Sequence, residues 1–187
     1  MRRFSQRYTS TINKKALSLL LLGTIACFVA VVNVNAYDLT PSRWSSNKLN
    51  PLYYYVNSQW SEFATARNDW NNAGTHIGSF YSIANPEYAW VSVTKVTDSG
   101  VTWPGRCLVM ATGGWIDAVD IELNDYYSST LGTDGRRTVC AHEIGHCFSL
   151  KDENDLWCLM HQGALDRVAH GILGPQDDDI SGVNAAY

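Results

Sequence analysis

Apolar positions recur along the chain after residue 50 in two periods, one of strands and one of helices. Residues 52–56, Leu-Tyr-Tyr-Tyr-Val, form an aromatic-rich run between Pro51 and Asn57 and predict a strand. Phe63, Ala66 and Trp70 fall at i, i+3 and i+7, which predicts a helix over 61–71 with Gly74 just beyond it. Residues 77–83 and 89–97 predict two further strands; in the second, Ala89, Val91 and Val93 alternate with Trp90, Ser92 and Thr94. A short strand over 119–123 alternates in the same way and carries Asp120 and Glu122 on its polar face. Cys140, Ile144, Cys147 and Phe148 return to helical spacing and predict a helix over 136–149. A last helix over 176–186 opens with three aspartates, which suit the positive end of its dipole. Strands and helices mixed in this order predict an α+β or α/β fold.

The first 36 residues follow another pattern. Arg2, Arg3, Arg7, Lys14 and Lys15 precede an almost wholly apolar run over 16–34, which ends in Val34-Asn35-Ala36, the small-residue pattern cut by a signal peptidase. A cleaved export signal over 1–36 and a single domain over 37–187 are expected. The alternative is an uncleaved membrane anchor, since the run is just long enough to span a bilayer, but Asn33 and Asn35 at its far end favour cleavage. With the signal go five of the 14 basic residues and none of the 18 acidic ones, so nine basic side chains remain against 18 acidic. Such a surface repels phosphate backbones, which argues against nucleic-acid partners and against a polybasic membrane patch. Cys107, Cys140, Cys147 and Cys158 are an even number in an exported chain and predict disulfides. Three connectivities are open; Cys147–Cys158 with Cys107–Cys140 is the one expected. Seven tryptophans fit either core and cleft packing or an aromatic platform for sugar rings.

The chemistry concentrates in His142-Glu143-Ile144-Gly145-His146. Helix residues four apart lie one turn apart and about 40° in azimuth, so both imidazoles reach one metal ion. Glu143 stands beside them, placed to contact a water at the metal. The apolar face of the same helix points the other way, into the core. Zinc needs a third protein ligand and leaves its fourth position to water.

The chain continues through Ser149 to Asp152 and then to Met160, and here it resembles the metzincin zinc proteases, whose long motif is H-E-x-x-H-x-x-G-x-x-H followed by a methionine turn. Asp152 occupies the third-ligand position, as in the snapalysin-like secreted bacterial enzymes. Met160 follows it at the matrixin spacing. Asp178-Asp179-Ile180-Ser181-Gly182-Val183, with Tyr187 at the end, is similar to the C-terminal helix of matrixin catalytic domains. The resemblance covers most of residues 50–187, loosely outside 136–160 and the tail. It implies an α+β, zincin-like fold: a mixed twisted sheet, an active-site helix and a C-terminal helix. Two positions depart from the family. Ser149 replaces the glycine of the helix-ending turn, so strain or an altered turn is expected there. His161 stands where matrixins carry a tyrosine. No cysteine-switch prodomain is recognisable after Ala36.

The resemblance implies an exported, monomeric zinc endopeptidase acting on protein or peptide substrates, with one catalytic Zn2+ on His142, His146 and Asp152. Glu143 is the expected general base, and the substrate is expected to extend along residues 119–123 as an edge strand. Asp117, Asp120, Glu122 and Asp125 make calcium possible without supporting it, because an alternating strand with a solvated face accounts for them. His76, His161 and His170 are expected to be structural or on the surface. The rival readings are an aromatic-rich module that binds cell-wall or other carbohydrate, and an inactive homologue that keeps the metal.

Overall fold

A computed structural model of the chain describes residues 37–187. The expected export signal lies outside the described residues, among which no helix is long and apolar enough to cross a membrane. The fold is mixed α and β, built on a five-stranded sheet of order β2-β1-β3-β5-β4. Its strands are β1 (Leu52–Val56), β2 (Phe80–Ser82), β3 (Val91–Val96), β4 (Gly105–Thr112) and β5 (Trp115–Asn124). The first three and β5 run parallel, and β4 pairs antiparallel with β5.

Strand alternation decides which face is covered. Leu52 and Tyr54 of β1, Val91 and Val93 of β3, and Val119, Ile121 and Leu123 of β5 are buried together on one face. On the other face Asp120 accepts from Ser92 Oγ at 2.5 Å, and Glu122 pairs with Arg106 at 2.7 Å. Two helices cover the apolar face, α1 (Glu62–Asn71) and α2 (Ser128–Cys147). Helix α1 buries Phe63, Ala66 and Trp70 against α2, where the Trp70 indole donates to Ala141 O at 2.8 Å. Gly132, at φ +63°, breaks the helical path early in α2, and the motif-bearing part follows that break. Two further α-helices follow, the short α3 (Ala164–Ala169) and α4 (Asp177–Ala186).

The expected strands over 52–56 and 89–97 and the helices over 61–71 and 176–186 all occur, trimmed by at most two residues at either end. Two expectations need correction. Residues 119–123 are not an edge: they lie inside β5, hydrogen-bonded to β3 on one side and β4 on the other. The edge beside β5 is β4, the other edge being β2; β4 is joined to β5 by Gly113-Gly114, both at positive φ, as suits a two-residue hairpin turn. The expected Cys147–Cys158 and Cys107–Cys140 disulfides are not formed, and all four cysteines are free thiols. Cys140, Cys147 and Cys158 are buried as small apolar side chains, and burial raises the Cys158 thiol to about 12.

Candidate metal centre

The motif side of α2 faces a cavity of about 380 Å³, bounded across the way by the start of β4 with Trp103 and Pro104. Cys140, Ile144 and Cys147, on the other side of the helix, are fully buried and anchor it in the core, as their spacing predicts. Helix phase therefore delivers His142, Glu143 and His146 to the cavity together.

The third group arrives through a reversal at the end of α2. Ser149 N donates to His146 O at 3.0 Å and Leu150 N to Gly145 O at 3.1 Å, the two bonds of a Schellman turn. Such a turn needs a left-handed residue, and Ser149 takes that place at φ +71°. It is fully buried there, and its hydroxyl donates to Ser42 O at 2.9 Å and lies 2.6 Å from Tyr187 Oη. The expected departure at this position is thus a strained serine held by two hydrogen bonds.

The reversal brings Asp152 back over the histidines. Its Oδ1 lies 3.1 Å from His142 Nε2 and 3.3 Å from His146 Nε2. Ligands about 2.0–2.1 Å from a tetrahedral zinc are separated by about 3.3 Å, so each histidine nitrogen stands at that spacing from Asp152 Oδ1, and all three atoms lie within 4.8 Å of one another. The opposite ring nitrogens are also engaged, His142 Nδ1 with Leu159 O and His146 Nδ1 with Leu150 O, each at 2.9 Å. A carbonyl only accepts, so each Nδ1 carries a hydrogen toward it; each Nε2 donates to Asp152 when protonated and offers its lone pair to a metal when not. These residues can hold a metal ion, and the donor set of two imidazoles and one carboxylate suits zinc.

Glu143 is 5% exposed, and its carboxyl has no hydrogen-bond partner among the described residues. Gly105 of β4 lies so close that a Cβ there would stand 3.0 Å from Glu143 Cγ and Oε1. Burial pushes the Glu143 carboxyl up to about 7, and Asp152 adds to the rise. Burial also draws His142 down to about 4. Burial draws His146 down as well, but the hydrogen bond to Asp152, the charge of Glu143 and the contact with Leu150 O more than reverse it. The hydrogen bonds from both histidines hold the Asp152 carboxyl well below the usual carboxylate range.

Beneath the centre, Met160 is buried against Gly145, where a Cβ would collide with its sulfur. Asp179 of α4 fixes this turn, accepting from Leu159 N at 2.9 Å and Met160 N at 3.2 Å. Its Oδ2 also accepts from Gln176 N at 2.8 Å in the capping box of α4. The charge pattern of the tail marked Asp179 only as a helix-dipole partner; its hold on the turn behind His142 had no sequence signal.

The other sequence candidates disperse. Asp117 accepts from Thr112, Asp120 from Ser92, Glu122 from Arg106 and Asp125 from Trp60 Nε1, and these four carboxylates form no cluster. His76 is exposed, His161 Nε2 lies 3.6 Å from Asp166, and His170 packs edge-on against Trp157. Trp44, Trp60 and Trp70 are core residues, whereas Trp90 lines a separate surface cavity with Tyr53 and Tyr88. Neither a protein-family model nor a curated protein matches the chain.

Proposed function

We propose that the domain is an exported zinc endopeptidase of the metzincin type, acting on protein or peptide substrates as a monomer. The observation that carries this reading is Glu143: a carboxyl without a hydrogen-bond partner, facing the cavity beside two histidines and an aspartate that could hold one metal ion. A purely structural metal site has no use for an acid–base group facing its cavity beside the ligands. A zinc ion held by His142, His146 and Asp152 would supply Lewis-acid activation of water and of the scissile carbonyl.

The remaining steps fall to the chain's own residues. Glu143, placed in the cavity beside the ligands, takes the proton of the attacking water and hands it to the departing amine. Leu159 O and Leu150 O fix both imidazole rings through Nδ1. The substrate adds to the free edge of β4, beside Glu143, and not to residues 119–123. The register supports this docking. Pro104 O accepts from Asn124 N, so residues 106, 108 and 110 pair with β5 while Gly105, Cys107 and Val109 turn their backbone groups outward. Export rests on the signal-like pattern of residues 1–36.

The test is a zinc titration of the purified protein with a casein assay on the same sample. Binding near one ion per chain, with cleavage lost to a chelator and restored by zinc, is the expected result. Metal bound at that stoichiometry without any cleavage would leave the inactive-homologue reading. A carbohydrate-binding reading is supported only by the aromatic cavity of Tyr53, Tyr88 and Trp90, and polysaccharide pull-down without cleavage would favour it.

A further inference from the structure

Asp152 is the most exposed of the three metal donors, at 44% of its side chain against 7% for His142 and 20% for His146. The imidazoles are fixed by the carbonyls behind them, whereas a half-exposed carboxylate turns freely about its last bond unless something holds it. Its Oδ1 faces both Nε2 atoms, and its other oxygen, Oδ2, accepts from Gln162 Nε2 at 3.3 Å. An ionised carboxylate only accepts, so the amide nitrogen of Gln162 and not its oxygen faces Asp152. Among the described residues Gln162 is the only donor to this carboxylate besides the two histidines. The neighbouring Lys151 turns away to Asp38, at 3.2 Å.

The backbone prepares this contact. Glu153 N donates to Met160 O at 2.8 Å, and a bridge pairs Glu153 with His161, so Asp152 and Gln162 project from adjoining segments. The segment that carries Gln162 is itself pinned: Asp179 Oδ1 accepts from Met160 N at 3.2 Å, and Arg167 donates to His161 O. Gln162 is exposed and lines the cavity of the metal triad, so core packing does not account for its side chain.

We propose that Gln162 is a positioning residue for the third metal ligand: it holds Oδ2 of Asp152 and leaves Oδ1 to complete the site with His142 and His146. It does for the carboxylate what the Leu159 and Leu150 carbonyls do for the two rings. His142 and His146 keep the carboxyl ionised, and Gln162 sets its direction. Partners behind a metal ligand contribute about 10- to 100-fold in metal affinity. The length of this bond and its exposure to solvent place Gln162 at the lower bound. The inference rests on the metal-binding half of the reading above and not on peptide cleavage.

The test measures zinc Kd, by competition with a chromophoric chelator, for wild type, Gln162→Met, Asp152→Ala and the double variant. Gln162→Met keeps the length of the side chain and removes its donor, and zinc should bind about 10-fold more weakly. In the Asp152→Ala background the same replacement should change Kd by less than about two-fold, because no second oxygen remains to be held. Cobalt(II) at the site gives a second readout, since its visible absorption follows the number and kind of its ligands. That spectrum should differ between wild type and Gln162→Met and coincide for the two chains that lack Asp152. Thermal melts of the metal-free wild type and Gln162→Met should coincide. An unchanged zinc Kd and cobalt spectrum in Gln162→Met overturn the proposal. So does an equal loss of affinity in both backgrounds, which marks a role in the turn and not on Asp152. Weaker zinc binding by Gln162→Met, in a protein whose wild type cleaves no casein, keeps the positioning role and removes the peptidase. Chelator-sensitive cleavage, with zinc affinity untouched by Gln162→Met, keeps the peptidase and removes the positioning role.

Discussion

Replacing Ser149 by alanine and by glycine separates two opposed contributions at the turn that delivers Asp152. At φ +71° a side chain with a Cβ costs about 1 kcal/mol relative to glycine. The Ser149 hydroxyl offsets this through its contacts with Ser42 O and Tyr187 Oη, each contributing about 1 kcal/mol net. Alanine keeps the backbone cost and loses both contacts, so Ser149→Ala should destabilise by about 2 kcal/mol. Glycine loses the same contacts but sheds the backbone cost, so Ser149→Gly should destabilise by about 1 kcal/mol. Urea denaturation of the metal-free protein reads these values, and melting temperatures should fall by roughly 2–4 °C per kcal/mol. Tyr187→Phe closes a double-mutant cycle with Ser149→Ala, in which the two losses should be less than additive. A glycine variant more stable than wild type would show that the hydroxyl contacts contribute less than the backbone cost. Alanine and glycine variants of equal stability would show that the left-handed backbone carries no cost.

Other expectations concern the surroundings of the metal. Asp179→Ala leaves Leu159 N and Met160 N buried without an acceptor and should cost about 2–4 kcal/mol in urea denaturation, with weaker zinc binding because Leu159 orients His142. Val109→Pro removes one outward N–H from the β4 edge and should raise KM for peptides by about five-fold, with zinc stoichiometry unchanged. For Glu143 the folded carboxyl at about 7 lies above its ordinary 4.5, so the folded state binds more protons between those values and loses stability as pH rises through them. Metal-free Glu143→Gln should therefore match wild type near pH 4.5 and exceed it by up to about 3 kcal/mol above pH 7. A gap that does not change between those two pH values would contradict the burial of this carboxyl.

The parts of the molecule legible in the sequence are those whose pattern and packing agree. Strands β1 and β3 alternate because one face meets the core, and α2 carries its histidines opposite Cys140, Ile144 and Cys147 because the core fixes its phase. Strand β4 was missed for the converse reason: Leu108, Val109 and Met110 are all exposed, so no alternation marks them. The Gly113-Gly114 pair between two β-prone runs was the available signal, and reading it as a hairpin would have moved the substrate edge from β5 to β4. Asp179 and Arg167 act through backbone carbonyls and N–H groups of distant loops, and such partners have no sequence pattern. The cysteines look like a disulfide framework by number alone, whereas their positions in α2 and the core make them packing residues.

The most direct test of the account is a paired measurement of zinc content and casein cleavage for wild type and Glu143→Gln. Both proteins should bind zinc near one per chain, since the ligands are His142, His146 and Asp152, and only the wild type should turn over. A Glu143→Gln variant that binds zinc and cleaves casein at the wild-type rate would contradict the assignment of Glu143 as the base.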